Sequence, residues 1–150
     1  MYGDKGEVPE EEYLIPIGKS NLVHEGGDVT LVSFGKMMKV AEETYIEAKK
    51  EGINLEVIDL RSVRPIDYES IVNSVKKTNR LVIIEEAWPL ASISSEISHH
   101  IQRFAFDYLD APVHRITCED VPFHYAPTLI KEITPNVDKA MKAVKKVMYK

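Results

Sequence analysis

The chain has 150 residues, 44% of them hydrophobic and 29% charged, which is ordinary globular composition and enough sequence to bury roughly 70% of its unfolded surface in one domain. A net charge of −5 with no broad basic surface argues against nucleic acid as a partner, and the longest aliphatic run of four residues is too short to span a bilayer. The single Cys118 excludes an internal disulfide and predicts a reducing compartment, and no basic, apolar leader predicts secretion.

The charge is uneven. Residues 1–12 hold Asp4, Glu7, Glu10, Glu11 and Glu12 against Lys5, with no apolar period, and read as a linker or mobile lead-in to a domain over 13–150. Lys19 to His24 predict a first strand. Glu25-Gly26-Gly27-Asp28 is a tight-turn signal, so Val29 to Phe34 are expected to return antiparallel as the second. From Lys36 the period changes. Met37, Val40, Ala41, Thr44 and Ala48 share one helical face, which Gly52 ends.

Asn54 to Asp59 predict a third strand. Pro65 and Asp67 open a second helix, with Asp67 as N-cap and Tyr68, Ile71, Val72 and Val75 as its inner stripe. Arg80 to Glu85 contain four consecutive apolar residues, the mark of a strand buried on both faces. Ile93, Ile97, Ile101 and Phe104 mark a third helix, and Val113 to Thr117 a fifth strand. Prolines at 122, 127 and 135 leave room only for a short helix near Thr128–Ile133. A terminal helix follows through Val137, Ala140, Met141, Val144 and Val147. Its lysines 139, 142, 145, 146 and 150 read as a solvated face that complements the helix C-terminal dipole. Strands alternating with helices imply parallel pairing and a helix-covered sheet, whose working residues belong at the carboxyl ends of the strands.

The chemical motifs are incomplete. No glycines make a dinucleotide triplet, and Gly35-Lys36 lacks both the upstream glycine and the following Ser/Thr of a phosphate loop. Glu96 with His99 or His100 has metal-ligand spacing, but the partner motifs of a di-metal bundle or a zinc helix are missing, so a half-exposed helix face is the expectation. Cys118 lies between His114 and His124 in sequence and reads as a small core residue. Asp59, Glu85, Glu86, Glu119 and Asp120 all fall near strand carboxyl ends. Together they would suit Mg²⁺ in a free-standing metal-dependent enzyme, and ion pairs with Arg61, Arg64 or another domain are the simpler reading.

Several segments in uninterrupted order carry a resemblance. They are Tyr13-Leu14-Ile15-Pro16-Ile17-Gly18-Lys19, Gly27-Asp28-Val29-Thr30-Leu31-Val32-Ser33-Phe34-Gly35, Glu56-Val57-Ile58-Asp59-Leu60-Arg61, Arg64-Pro65-Ile66-Asp67, Glu85-Glu86-Ala87-Trp88-Pro89, Phe106-Asp107-Tyr108-Leu109-Asp110-Ala111-Pro112 and Asp120-Val121-Pro122-Phe123-His124-Tyr125-Ala126-Pro127. From about Glu7 to Lys150 the chain resembles the C-terminal domain of pyruvate dehydrogenase beta subunits, in the transketolase-like, thiamine-diphosphate-dependent family. The Glu-Glu-Ala-Trp-Pro and Leu-Asp-Ala-Pro forms favour pyruvate over the branched-chain 2-oxo acid relatives. Acetoin dehydrogenase and transketolase remain alternatives. One departure is Leu90-Ala91-Ser92-Ile93-Ser94, where the family form is richer in glycine.

The resemblance implies a three-layer α/β/α domain with a five-stranded mixed sheet whose first strand is antiparallel. It implies a parent oxidoreductase that decarboxylates pyruvate on thiamine diphosphate and Mg²⁺ on the route to acetyl-CoA. That cofactor sits between the alpha subunit and the N-terminal domain of the beta subunit. This sequence lacks the diphosphate signature and the acid that activates the pyrimidine ring, so no catalytic, cofactor or metal residue is expected in it, and the fragment alone is expected to be inactive. The implied partners are the alpha subunit, a second beta subunit, and the small basic peripheral subunit-binding domain of the dihydrolipoyl acyltransferase. Asp110 and the chain's end at Lys150 correspond to the family's acidic docking anchors. A bacterial cytoplasm or a mitochondrial matrix both suit such a subunit.

Overall fold

A computed structural model describes residues 6, 7 and 9–150. Part of the predicted lead-in, residues 1–5 and Val8, lies outside the described residues, and the described remainder of that stretch forms neither strand nor helix.

Two short strands set the architecture. All five residues of β2 (Val29–Ser33) and all four of β4 (Leu81–Ile84) are buried, so neither strand has a face for water. Both must be sandwiched, and parallel pairing with helical crossovers achieves this. The five-stranded sheet has the order β1-β3-β2-β4-β5, with β1 at Asn21–His24, β3 at Leu55–Asp59 and β5 at His114–Ile116. The β3–β2, β2–β4 and β4–β5 pairs are parallel, and β1 alone is antiparallel.

Helices α1 (Met38–Lys50) and α5 (Val137–Val147) cover one face, packing Ala41, Ala48, Ala140 and Val144 on Leu31, Val57, Val82 and Ile84. Helices α2 (Tyr68–Thr78) and α3 (Ile93–Phe104) cover the other, packing Ile71, Val75, Ile97 and Ile101 on Val32, Ile58, Leu81 and Ile83. The short α4 is Pro127–Ile133. The three-layer arrangement with an antiparallel first strand therefore stands as expected.

The opening hairpin does not. β1 pairs with β3 (Asn21↔Asp59, Leu22↔Ile58, His24↔Val57), and β3 lies between β1 and β2. The Gly26-Gly27 segment is a crossing over the start of β3. A Cβ on Gly26 would stand 2.2 Å from the Leu55 carbonyl carbon. Asp28 N–H donates to the Asn54 carbonyl at 3.0 Å, and the Asp28 carboxylate accepts from the Asn54 N–H at 2.7 Å. Local turn chemistry predicts the reversal; the burial demands of β3 choose the neighbour.

Several polar groups inside the sandwich are paired across it. Thr30 Oγ1 lies 2.6 Å from Ser74 Oγ and 2.7 Å from Thr78 Oγ1, tying β2 to α2. Buried Glu56 accepts from Lys77, also of α2. Asp67 caps α2 as predicted, accepting the Ser70 N–H at 3.3 Å and hydroxyl at 2.9 Å, and it also receives the Ser20 N–H at 3.0 Å from the approach to β1.

Burial pushes the Asp67 carboxyl upward. The Ser20 and Ser70 hydrogen bonds, with the nearby Lys19 charge, outweigh it and hold the group below its ordinary value. A depressed carboxyl stabilises the fold above its unfolded pKa of about 3.9, and that contribution is lost as pH falls through the folded value. Thermal melts from pH 7 down to 2.5 should therefore show a smaller acid-induced loss for Asp67→Asn than for the parent. Asp67→Ala should cost about 1 kcal/mol or more at pH 7. Parallel melting curves for the parent and Asp67→Asn would contradict this assignment.

Candidate functional site

The carboxyl ends of β3, β4 and β5 hold the acids singled out in the sequence, and the fold uses them separately. Glu85 is buried beside the N-terminus of α3. One oxygen accepts the Ser94 N–H at 3.1 Å and the Ser94 hydroxyl, and the other has no partner among the described residues. The partial positive charge of a helix N-terminus offsets such a carboxylate. Glu86 pairs with Lys36 at 2.7 Å and Glu119 with Lys139 at 3.1 Å. Asp59 accepts the backbone N–H of Arg61 at 3.0 Å. The expected guanidinium partners are thus replaced by lysines and a backbone donor. Among the described residues no group of three or more His, Cys, Asp or Glu is placed to hold a metal ion.

The loops above these strands are tied to each other. Cys118 N–H donates to the Ala87 carbonyl at 2.9 Å, Trp88 Nε1 to the Val121 carbonyl at 3.1 Å, and Arg115 to the Pro89 carbonyl at 3.1 Å. Within that tie Ala91 has φ 53°, the left-handed region that suits glycine, at the position where the sequence departs from the glycine-richer turn. Cys118 is buried. Burial, then the Glu86 charge, raises its thiol, so it stays protonated and makes a poor nucleophile.

The Glu96, His99 and His100 set is likewise not a ligand group. Glu96 accepts the Tyr68 hydroxyl at 3.1 Å, His100 stacks on Tyr68 with ring centroids 3.8 Å apart, and His99 is exposed. Burial lowers the His100 imidazole, which keeps it neutral in that stack.

The other end of the sheet differs. Arg80 immediately precedes β4, and Asp110 lies in the turn before β5, so both stand at the amino ends of parallel strands. Three hydrogen bonds fix the turn. Asp110 N–H donates to the Asn79 carbonyl at 2.9 Å, Asn79 Nδ2 to the Tyr108 carbonyl at 2.8 Å, and the Tyr149 hydroxyl to the Asp110 carbonyl at 3.0 Å. The last bond brings Tyr149, the residue before the exposed Lys150, onto the Asp110 carbonyl. The Asp110 carboxylate is half exposed and accepts from Arg80 Nη2 at 3.0 Å. Exposed Phe106, Tyr108 and Tyr149 surround it. Sequence reasoning missed Arg80 and Tyr149. Neither has a motif, and only the return of α5 to this corner brings Tyr149 there.

The Gly26-Gly27-Asp28 turn is also at this end, with Gly26 against Leu55 and the Asp28 carboxylate engaged by the Asn54 N–H. A diphosphate and its metal need open backbone and uncommitted carboxylates, so these residues do not fit thiamine diphosphate.

Comparison with known proteins agrees with this architecture. The transketolase C-terminal domain family profile matches residues 18–140. The pyruvate dehydrogenase E1 component subunit beta of Rhizobium meliloti is 46% identical across all of this chain, which covers 33% of that relative. The mitochondrial counterpart of Dictyostelium discoideum is 47% identical over 92% of the chain and 39% of its own length. The beta subunit of the Bacillus subtilis acetoin:2,6-dichlorophenolindophenol oxidoreductase is 44% identical over 92% of the chain and 40% of its own length. The chain therefore spans between a third and two fifths of the length of these relatives. Among solved structures, a split-gene transketolase described as an inactive beta4 tetramer superposes with a TM-score of 0.84 at 26% identity, over 96% of this chain and 46% of that one.

The strained alanine gives a direct check on the carboxyl-end loops. A left-handed alanine costs roughly 1–2 kcal/mol, and a glycine there gives back roughly 0.5–1 kcal/mol in entropy. Ala91→Gly should raise the thermal midpoint by about 1–3 °C for a domain of this size. An unchanged or lowered midpoint would contradict the backbone geometry at Ala91.

Proposed function

Because the chain belongs to the transketolase C-terminal domain family, we propose that it is the assembly domain of a pyruvate dehydrogenase beta subunit, with 13–150 as the domain and 1–12 as its lead-in. Its work is to associate with the alpha subunit and a second beta subunit and to dock the peripheral subunit-binding domain of the dihydrolipoyl acyltransferase. The whole enzyme decarboxylates pyruvate oxidatively toward acetyl-CoA. Thiamine diphosphate and its magnesium supply the acyl carbanion chemistry, and they belong to the alpha subunit and the N-terminal part of the beta subunit. No step of that reaction runs through the residues described above.

One observation carries the docking reading. A half-exposed carboxylate and the last residues of the chain occupy one rigid corner at the amino ends of β4 and β5. Catalytic groups in such sheets gather at the opposite end, so this corner suits binding. Charge-assisted hydrogen bonds from a partner's lysine or arginine to Asp110, with the Lys150 position beside it as a second contact, would set approach rate and register. Asp110→Ala should weaken the chain's affinity for the acyltransferase's basic domain about tenfold and lower its salt dependence, with the melting curve little changed. Equal affinity and an equal salt slope in titration calorimetry would remove Asp110 from the proposal.

The second reading is an acetoin-type enzyme, which the 44% identity to the Bacillus subtilis subunit supports. The corner at Asp110 serves either, since substrate choice resides in the cofactor-binding part; DNA sequence upstream of codon 1 distinguishes them. In both readings the isolated chain does not bind the cofactor. Titration of the pure chain with thiamine diphosphate and Mg²⁺ should give no heat beyond dilution; a saturable isotherm would overturn this part. We assign the subunit to a bacterial cytoplasm or a mitochondrial matrix. No helix among the described residues is long and apolar enough to cross a membrane.

A further inference from the structure

The docking carboxylate already has an internal cation. Arg80 Nη2 holds one oxygen of Asp110 at 3.0 Å, and among the described residues no other donor reaches that carboxylate. The contact uses a single N–H. Arg80 Nε is buried without a partner, so the two-pronged guanidinium grip is not formed and the second carboxylate oxygen is left unengaged. Arg80 is also rooted. Its side chain is only 26% exposed against 53% for Asp110, and Nη1 reaches back to the Asp28 carbonyl at 3.4 Å. Its own carbonyl accepts the Thr30 N–H at 2.9 Å and the Thr78 hydroxyl at 3.1 Å.

Arg80 is not needed to place the turn. The bonds from Asp110 N–H to the Asn79 carbonyl, from the Asn79 side chain to the Tyr108 carbonyl and from the Tyr149 hydroxyl to the Asp110 carbonyl do that by holding the turn's backbone. What Arg80 adds is a fixed positive charge beside the anchor. A second cation, Lys76, lies over the Tyr108 ring at 5.3 Å from its centroid, so Asp110 is not the only charge a basic partner meets at this corner.

We infer that Arg80 is an internal competitor for the docking carboxylate: an incoming lysine or arginine must share Asp110 with it, which keeps docking weaker and less salt-sensitive than an unopposed aspartate would make it. The inference rests on the docking reading of Asp110. Two like charges about 6 Å apart at a protein surface repel by an amount that corresponds to roughly three- to tenfold in affinity. That repulsion exceeds the gain from holding a short Asp side chain in one rotamer.

The test is a double-mutant cycle on the full chain, with the recombinant peripheral subunit-binding domain of the acyltransferase as probe, titrated at several salt concentrations. Arg80→Gln should bind three- to tenfold tighter with a steeper salt slope, and Arg80→Lys, which keeps the charge, should stay near the parent. In an Asp110→Asn background, which no longer seats the incoming cation beside Arg80, Arg80→Gln should give a clearly smaller gain. Thermal melts accompany each variant, and Arg80→Met, which keeps the apolar stem, replaces Arg80→Gln if that variant melts below the assay temperature. Weaker or unchanged binding by the uncharged Arg80 variants, or the same change with and without Asp110, overturns the competitor role while leaving the docking reading intact. No binding by the parent, or Asp110→Asn indistinguishable from it, overturns the docking reading itself.

Discussion

The structure depends on two strands with no side for water. β2 and β4 are adjacent, parallel and wholly buried, so the chain has to lay helices on both of their faces. The rest follows from that demand. The helices divide between the faces, with α1 and α5 on one and α2 and α3 on the other. Buried polar groups have to find partners within the sandwich, as Thr30 does with Ser74 and Thr78 and Glu56 does with Lys77. An unpartnered polar group there would cost about 1–3 kcal/mol, a large share of a domain's net stability.

The same constraint explains why the carboxyl end of the sheet, rich in acids by sequence, is chemically quiet. Glu85 follows the alternation of β4 onto the face of α3 and is taken up by the start of that helix. Glu86 and Glu119 meet lysines, and the loops after β4 and β5 are laced together over Cys118. The amino end has the opposite character. The turn before β5 is rigid in its backbone and exposed in its side chain, which is the combination recognition needs. Arg80 and Asp110 are thirty positions apart in sequence and meet there because β4 and β5 are neighbours.

Much of this was legible in the residues. Four consecutive aliphatics at 81–84 signalled a doubly buried strand, the Asp67 side chain signalled a helix start, and the spacing of Ile93, Ile97 and Ile101 signalled a helix face. These signals are local, so they survive without knowledge of the fold. The Gly26-Gly27 turn was read correctly as a reversal and wrongly as a hairpin, because adjacency in a sheet is settled by which strand buries more against which neighbour. Asp110 was identified through a resemblance spread along the chain; its own turn, Asp-Ala-Pro, would suit any loop.

Sequence by itself determined the kind of object: strand and helix periods, an interior without charge runs, and a domain that alternates β and α. Periodicity can do this because burial acts on each element through its nearest residues. Only the tertiary structure decided that β1 lies beside β3, that Glu86 and Glu119 meet lysines, and that Arg80, Asp110 and Tyr149 share one corner. Those outcomes turn on contacts between residues 20 to 50 positions apart, and such contacts exist only after the sheet has closed its order.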